Sequence, residues 1–270
     1  MILTTTEKPF NVFPNMRTIW YLLCLVKLNA VIISPNCNEL QYQLFAKQPF
    51  FEPVGMIHCN GLNSTGTLIS PNKVLVAAHA IDENALVTFK IVCPSNNSPI
   101  LAFGVGKKHP KYTQTFDLKG RILSLHNDIG IVTLDAPLTT IEPATLLFHP
   151  PTLGEPCFSC GFGTLGTVVT GRQKHDLKKR GFTNVFASIL QHPNFDPCYT
   201  IFLSPSNAPT PPAFLEGIGG EGDSGAPVFV ERASFSVIGI LNLLIFKELR
   251  PLSNTILPLA DFQEWIEKNL

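Results

Sequence analysis

The feature that most constrains this chain is how its apolar residues are broken up. From about Pro53 onward they come in short runs, each ended by a turn. Gly66–Ser70 is followed by Pro71 and Asn72 and then by Val74–Ala78, which reads as strand, turn, strand. Ala85–Cys93 alternates well enough for another strand, and Ile129–Leu134 reads as a short buried one. Leu146–His149, Cys157–Phe162 and Val185–Leu190 continue the pattern, and Pro227–Val230 with Ser236–Leu241 reads as a hairpin. The 23 Pro and 19 Gly supply the turns that many short strands require. Only the tail departs from this. Pro258 opens a segment in which Leu259, Phe262, Trp265, Ile266 and Leu270 recur at helical spacing. Many strands closed by one amphipathic helix predict an all-β barrel protein with a helix docked on its surface.

With 270 residues, 45% of them hydrophobic and 15% charged, the chain can bury one large β domain or two small barrels sharing a cleft. A formal net charge of +0, with no basic stripe or acidic tail, argues against nucleic acid and against a cationic partner. An apolar stretch from Thr18 to Val26 follows Met16 and Arg17 and reads as a signal peptide with its start at Met16. It is too short to span a bilayer, and Lys27 would sit near the middle of a longer span, so secretion is expected rather than membrane insertion. Asn63-Ser64-Thr65 and Asn96-Asn97-Ser98 fit the glycosylation tripeptide. Of seven cysteines, Cys24 falls in the leader; the remaining even set is compatible with bridges in an oxidising compartment. Cys157 and Cys160 form a CxxC, but with no second CxxC, no His pair and no βαβ context it predicts neither a zinc site nor a redox centre. No metal or other cofactor site is read.

Three places carry chemistry. His79 ends a strand, Asp128 opens one, and Ser224 lies in the glycine-flanked turn Gly222-Asp223-Ser224-Gly225. Each pattern is common by itself; the order His, Asp, Ser is specific. The chain resembles the chymotrypsin-like serine peptidases, whose triad follows that order. The resemblance extends to Ser64–Ser70 ahead of the histidine, His109-Pro110-Lys111-Tyr112 ahead of the aspartate, Gly161-Phe162-Gly163, and the terminal helix. It implies two antiparallel Greek-key β-barrels with the active site between them and a C-terminal α-helix. The implied division is a leader over residues 1–36 and a peptidase domain over 41–270. Within that domain the barrels cover about 53–140 and 150–257, and the helix 258–270.

The resemblance also implies roles. Ser224 is the nucleophile, His79 the general base and then acid, and Asp128 the group that holds the imidazole. The N–H groups of Gly222 and Ser224 form the oxyanion hole, a donor there being worth roughly 3–4 kcal/mol of barrier. Ile218 stands where trypsins carry an aspartate at the pocket base. Gly219 is its neighbour, and Asn242, Leu243 and Leu244 replace the Ser-Trp-Gly wall. A narrow apolar pocket of this kind favours small or medium apolar P1 side chains and rejects Arg and Lys. The implied partners are protein or peptide substrates and protease inhibitors, met by a monomer.

The chain departs from the family as well. The family's cysteine after the histidine and its bridge partner are replaced by Ala80 and Ser64, and Gly220 stands where a third cysteine is usual. Family zymogens are cut before an Ile-Val-Gly-Gly-like start, whose ammonium pairs with the residue matching Asp223. The region at the corresponding distance, Leu40–Leu44, has no such start. A catalytically impaired homologue, acting as a binding or regulatory module, is the alternative reading.

Overall fold

The computed structural model describes residues 31–33, 37–167, 171–174, 176–204, 213–247 and 250–270. The signal-peptide reading, which falls on residues before 31, lies outside them. The described chain begins with a short strand β1 (Ile32–Ile33) and a helix α1 (Glu39–Phe45). Strands β2 (Val54–Cys59), β3 (Leu62–Ser70), β4 (Lys73–Val76), β5 (Leu86–Val92) and β6 (Pro99–Lys108) follow. The hairpin β7 (Thr113–Phe116) and β8 (Ile122–His126) then precedes β9 (Gly130–Leu134).

Six of these strands close into a barrel, in the order β2-β3-β4-β9-β6-β5. Strand β5 shows why. Val87, Phe89 and Ile91 are buried while Leu86, Lys90 and Val92 face outward, the period of two that one buried sheet face demands. The inward residues meet Ile57, Leu68, Val74, Val76, Val132 and Leu134 in one apolar core. Burying each such side chain contributes about 1.5–3 kcal/mol.

The second half contributes β10 (Pro156–Gly161), β11 (Leu165–Thr167), β12 (Gly171–Lys174), β13 (Arg180–Val185), β14 (Ser188–His192) and β15 (Phe195–Phe202). It continues with β16 (Gly217–Ile218), β17 (Pro227–Glu231), β18 (Phe235–Lys247), β19 (Arg250–Pro258) and helix α2 (Gln263–Asn269). A nine-stranded sheet runs β13-β10-β17-β18-β19-β15-β8-β7, with β14 on β15. The β7–β8 hairpin therefore leaves the first barrel and joins this sheet, Leu125 lying opposite Phe195. A small sheet β12-β11-β1-β16 brings the start of the described chain to the loops around Ser224. The fold is the expected all-β one, two β-barrel units with a short C-terminal helix.

A third core joins the halves. Leu75, Ala77, Ala80, Ile129 and Ile131 from the first half pack with Phe229, Val237, Ile240 and Leu257 from the second, and Leu259, Phe262 and Ile266 dock on the same seam. The tail is helical, but it begins as a tighter turn over Leu259–Phe262, and Leu270 is exposed.

Local readings fail in instructive places. Leu146–His149 makes a single bridge, Leu146 to Val237, rather than a strand. Val185–Leu190 spans a break: Val185 ends β13 and Ser188 begins β14. Helix α1 was not expected. Its signal is local: the Asn38 side chain accepts from the first turn while Gln41 reaches back to the Asn38 N–H, a reciprocal capping box. Tertiary contacts hold it. The Tyr42 hydroxyl donates to the Glu216 carbonyl at 2.8 Å. Arg180, whose side chain is fully buried, bonds Glu39 at 2.5 Å and Asp176 at 2.8 Å. Burial pushes both carboxyls up, but Arg180 and their other partners outweigh it and both titrate below the usual carboxylate range.

All six cysteines among the described residues are free thiols, and no bridge joins any two of them. Cys157 and Cys160 are three positions apart on one strand and so point to opposite faces. Cys157 joins the core of the second unit and Cys160 the seam. Burial pushes the Cys160 thiol up to about 12, and Cys157 likewise upward, so both stay protonated.

Candidate active site

His79 lies in the tight turn Ala78–Ala80 directly after β4. Asp128 follows Asn127, whose φ of 51° turns the chain just before β9. Strands β4 and β9 pair, Val76 opposite Gly130, so the barrel itself brings the two side chains together. Asp128 is fully buried; its Oδ1 accepts the backbone N–H of His79 at 2.8 Å, and its Oδ2 lies 2.6 Å from His79 Nδ1. That contact places the ring proton on Nδ1 and leaves Nε2 as an acceptor. His79 Nε2 is 2.8 Å from Ser224 Oγ. Burial lowers the proton affinity of the His79 ring, but the charge and hydrogen bond of Asp128 outweigh it, and its pKa stands above the ordinary imidazole value.

The serine turn is shaped by two glycines with left-handed backbone, Gly222 at φ 92° and Gly225 at φ 80°. A Cβ on Gly225 would also come within 2.6 Å of Ala77 N and Thr65 O. Among the described residues, no backbone carbonyl takes the N–H of Gly222 or of Ser224. The Glu221 carbonyl accepts from Thr164 N at 3.2 Å. In a trans peptide the C=O and N–H point in opposite directions, so this bond turns the Gly222 N–H away from Thr164.

Asp223 is buried between these residues, with 1% of its surface exposed. Its Oδ1 accepts Gly163 N at 2.8 Å and its Oδ2 accepts Gly220 N at 2.9 Å. Burial pushes this carboxyl up to about 6, with the two N–H groups and the more distant Arg180 pulling the other way. Strand β1 pairs with β16, the strand that leads into Gly219 and Gly220. Ile32 lies opposite Gly166 of β11 and Ile218 of β16. One residue back, that register carries the fully buried Val31 toward Leu165 and Gly219, next to the segments that hold the Asp223 carboxyl. Sequence reasoning looked for such a segment at Leu40–Leu44, where the structure has helix α1. The apolar Val31-Ile32-Ile33 directly after Ala30 was the signal available.

Ile218 is fully buried, in the core with Ile32, Leu165 and Leu241, and Leu244 packs partly exposed against the same core. Gly219 is hemmed in: a Cβ there would lie 2.5 Å from Leu241 Cδ1 and 3.4 Å from Asn254 Oδ1. Asn254, a residue that the sequence did not single out, lies opposite Leu244 across the β18–β19 ladder, with its side-chain oxygen beside Gly219. Its Nδ2 donates to the Leu243 carbonyl at 3.2 Å, while its Oδ1 and that of Asn242 are buried and find no hydrogen-bond partner among the described residues.

This fold, with imidazole, carboxylate and hydroxyl in series at the cleft, defines the chymotrypsin-like serine peptidase class. The trypsin family model matches residues 51–196, more than half of the sequence, and the chain belongs to that family. The matched stretch contains His79 and Asp128 and ends before Ser224. The chain is similar to the thrombin-like enzyme flavoxobin of Protobothrops flavoviridis, 31% identical over 38% of this chain and 39% of that protein. It is similar to the thrombin-like enzyme acutin of Deinagkistrodon acutus, 28% identical over 43% and 49%. The match thus spans less than half the length of either. Among solved structures, neuropsin, a serine protease expressed in the limbic system of mouse brain, superimposes with a TM-score of 0.57 at 17% identity. That alignment covers 82% of this chain and 96% of neuropsin, a likeness of fold.

Proposed function

We propose that the chain is a secreted serine endopeptidase that cleaves peptide bonds through an acyl-enzyme. The observation that carries this reading is the 2.8 Å contact of His79 Nε2 with Ser224 Oγ, backed by the 2.6 Å contact of His79 Nδ1 with Asp128. Ser224 Oγ attacks the scissile carbonyl carbon while its proton passes to His79 Nε2. The carbonyl oxygen becomes an oxyanion held by the N–H groups of Gly222 and Ser224. His79 then protonates the leaving amine, and water repeats the sequence to release the acid. Ionised Asp128 stabilises the imidazolium. The pocket of Ile218, Gly219, Asn242, Leu243 and Leu244 takes a small or medium apolar P1 side chain and offers no counter-charge to Arg or Lys.

Asp223 is the activation link. A cut before Val31 places a new ammonium at the end of β1 that runs toward the Asp223 carboxyl. The residue ahead of the cut is then Ala30, not Lys or Arg, so the leader ends at residue 30 rather than 36, and removing it and completing the site become one event. Chain that is not cut there leaves a buried carboxyl with backbone donors but no cation, the observation that favours the impaired alternative.

The full chain expressed through a secretory host, beside Ser224→Ala, is treated with a fluorophosphonate probe. Labelling of the parent alone supports the peptidase. No labelling of the parent in any processed form leaves the non-catalytic module standing.

A further inference from the structure

The serine turn is gripped from the first barrel by one side chain that the triad does not use. Thr65, on β3, is fully buried. Its backbone N–H donates to the Ser224 carbonyl at 3.1 Å. Its hydroxyl donates to the Gly222 carbonyl at 2.9 Å and accepts the Phe162 N–H at 3.2 Å. A hydroxyl has one proton and two lone pairs, so these contacts fix the direction of that proton: the Phe162 N–H occupies a lone pair, and the hydrogen goes to Gly222 O. One residue thus holds the carbonyls of both residues whose N–H groups face the reacting oxygen. The two carbonyls flank Asp223, whose own side chain ties the turn to Gly163 and Gly220. Thr164 completes the set by holding the Glu221 carbonyl.

We infer that Thr65 is a positioning residue for the oxyanion hole: its buried hydroxyl holds the Gly222–Asp223 peptide, the link between the two peptides that carry the Gly222 and Ser224 N–H groups, and so keeps that pair in the orientation that receives the developing charge. The inference rests on the peptidase reading above. A donor aimed at a transition state helps only while its direction is held, and small misplacements at such sites cost rate rather than binding. Removing the hydroxyl leaves the Gly222 carbonyl and Phe162 N–H without their buried partner, so that the Gly222–Asp223 peptide is held only at its other side, by the Asp223 N–H to the Gly220 carbonyl at 3.1 Å.

The test is made on chains carrying Asn63→Gln, which removes the glycosylation tripeptide from parent and variants alike, and compares Thr65→Val, which keeps the shape and removes the hydroxyl, Thr65→Ala, which removes it without crowding, and Thr65→Ser, which keeps it. Each is expressed as the full secreted chain, and phosphonate labelling and peptide hydrolysis are followed with thermal unfolding. The expected result for Val and Ala is a kcat lower by about 10- to 100-fold with KM within about twofold, smaller than the loss of a donor itself. Thr65→Ser is expected to recover most of the parent kcat. An unchanged kcat in Val and Ala overturns the inference, as does a loss that Ser fails to restore. Failure of Val and Ala to fold, with Ser folding normally, assigns Thr65 to stability and also overturns it. A parent chain that is itself unlabelled sinks the peptidase reading, and this inference with it, whereas a labelled parent with indifferent variants sinks this inference alone.

Discussion

The Asp223 carboxylate accepts the backbone N–H of Gly163 at 2.8 Å, tying the serine turn to the loop between β10 and β11. Burial holds this carboxyl at about 6, above the ordinary 3.8. An acid whose folded pKa is raised binds its proton more tightly when folded, so protonation stabilises the fold. The contribution is present below about pH 4 and is lost as pH rises through about 6, amounting to roughly 3 kcal/mol. Uncut chain is expected to gain stability from this group as pH falls from 7 to 4. Asp223→Asn is expected to lack that gain. Urea unfolding of both chains at the two pH values checks it, and parallel pH profiles would refute it.

An ammonium at Val31 reverses that trend by favouring the charged carboxylate. The active species recovered from a secretory host is expected to begin at Val31. One glycine inserted before Val31, retained after processing, is expected to lower phosphonate labelling at least about 10-fold, because a displaced charge loses its pairing geometry. N-terminal sequencing with labelling rates decides the matter; full activity from a chain beginning elsewhere counts against it.

His79 carries a pKa above the ordinary 6.5. A general base works only when deprotonated, so kcat/KM is expected to fall as pH drops through a value above 6.5. A pH–rate profile whose acid limb lies well below that would contradict the assignment.

Leu244, placed in the proposed P1 pocket, stands partly exposed against the core around Ile218. Peptides with Ala or Val at P1 are expected to be cleaved faster than those with Phe, and Arg or Lys not appreciably. Leu244→Gly is expected to shift preference toward Phe by about 10-fold or more, the scale of a few methylenes of apolar contact. A peptide panel measures this, and efficient cleavage after Arg would refute the pocket.

Arg180 is buried and answers two carboxylates, Glu39 on α1 and Asp176. Arg180→Met removes their buried cation and leaves only the exposed Lys178, 3.8 Å from Asp176, and is expected to cost about 3 kcal/mol of stability, read from urea unfolding. Since α1 hangs on this cluster, its helical signal is expected to be lost first.

The sequence showed the β class because alternation such as Val87, Phe89 and Ile91 is local and repeats. It isolated His79, Asp128 and Ser224 because their order is itself a pattern. What it hid depends on distant partners. Helix α1 is short and rests on Arg180 and Glu216, far along the chain. The β1 strand has too few residues for any periodicity, and its place shows only once β11 and β16 flank it. Thr65 looks like one more strand threonine until its hydroxyl is seen against Gly222. Cys157 and Cys160 look like a motif until the strand sends them to opposite faces.

The seam between the barrels has one more consequence. Ala77, Ala80 and Ile129, which bracket His79 and Asp128, share an apolar core with Ile240 of β18 and with Phe262 and Ile266 near the end of the chain. The contact between base and nucleophile therefore spans a core that the two barrels share, and the terminal helix is one of its walls. Shortening the chain at Pro258 would leave every residue of the triad in place on its own barrel and still let the two barrels drift out of alignment.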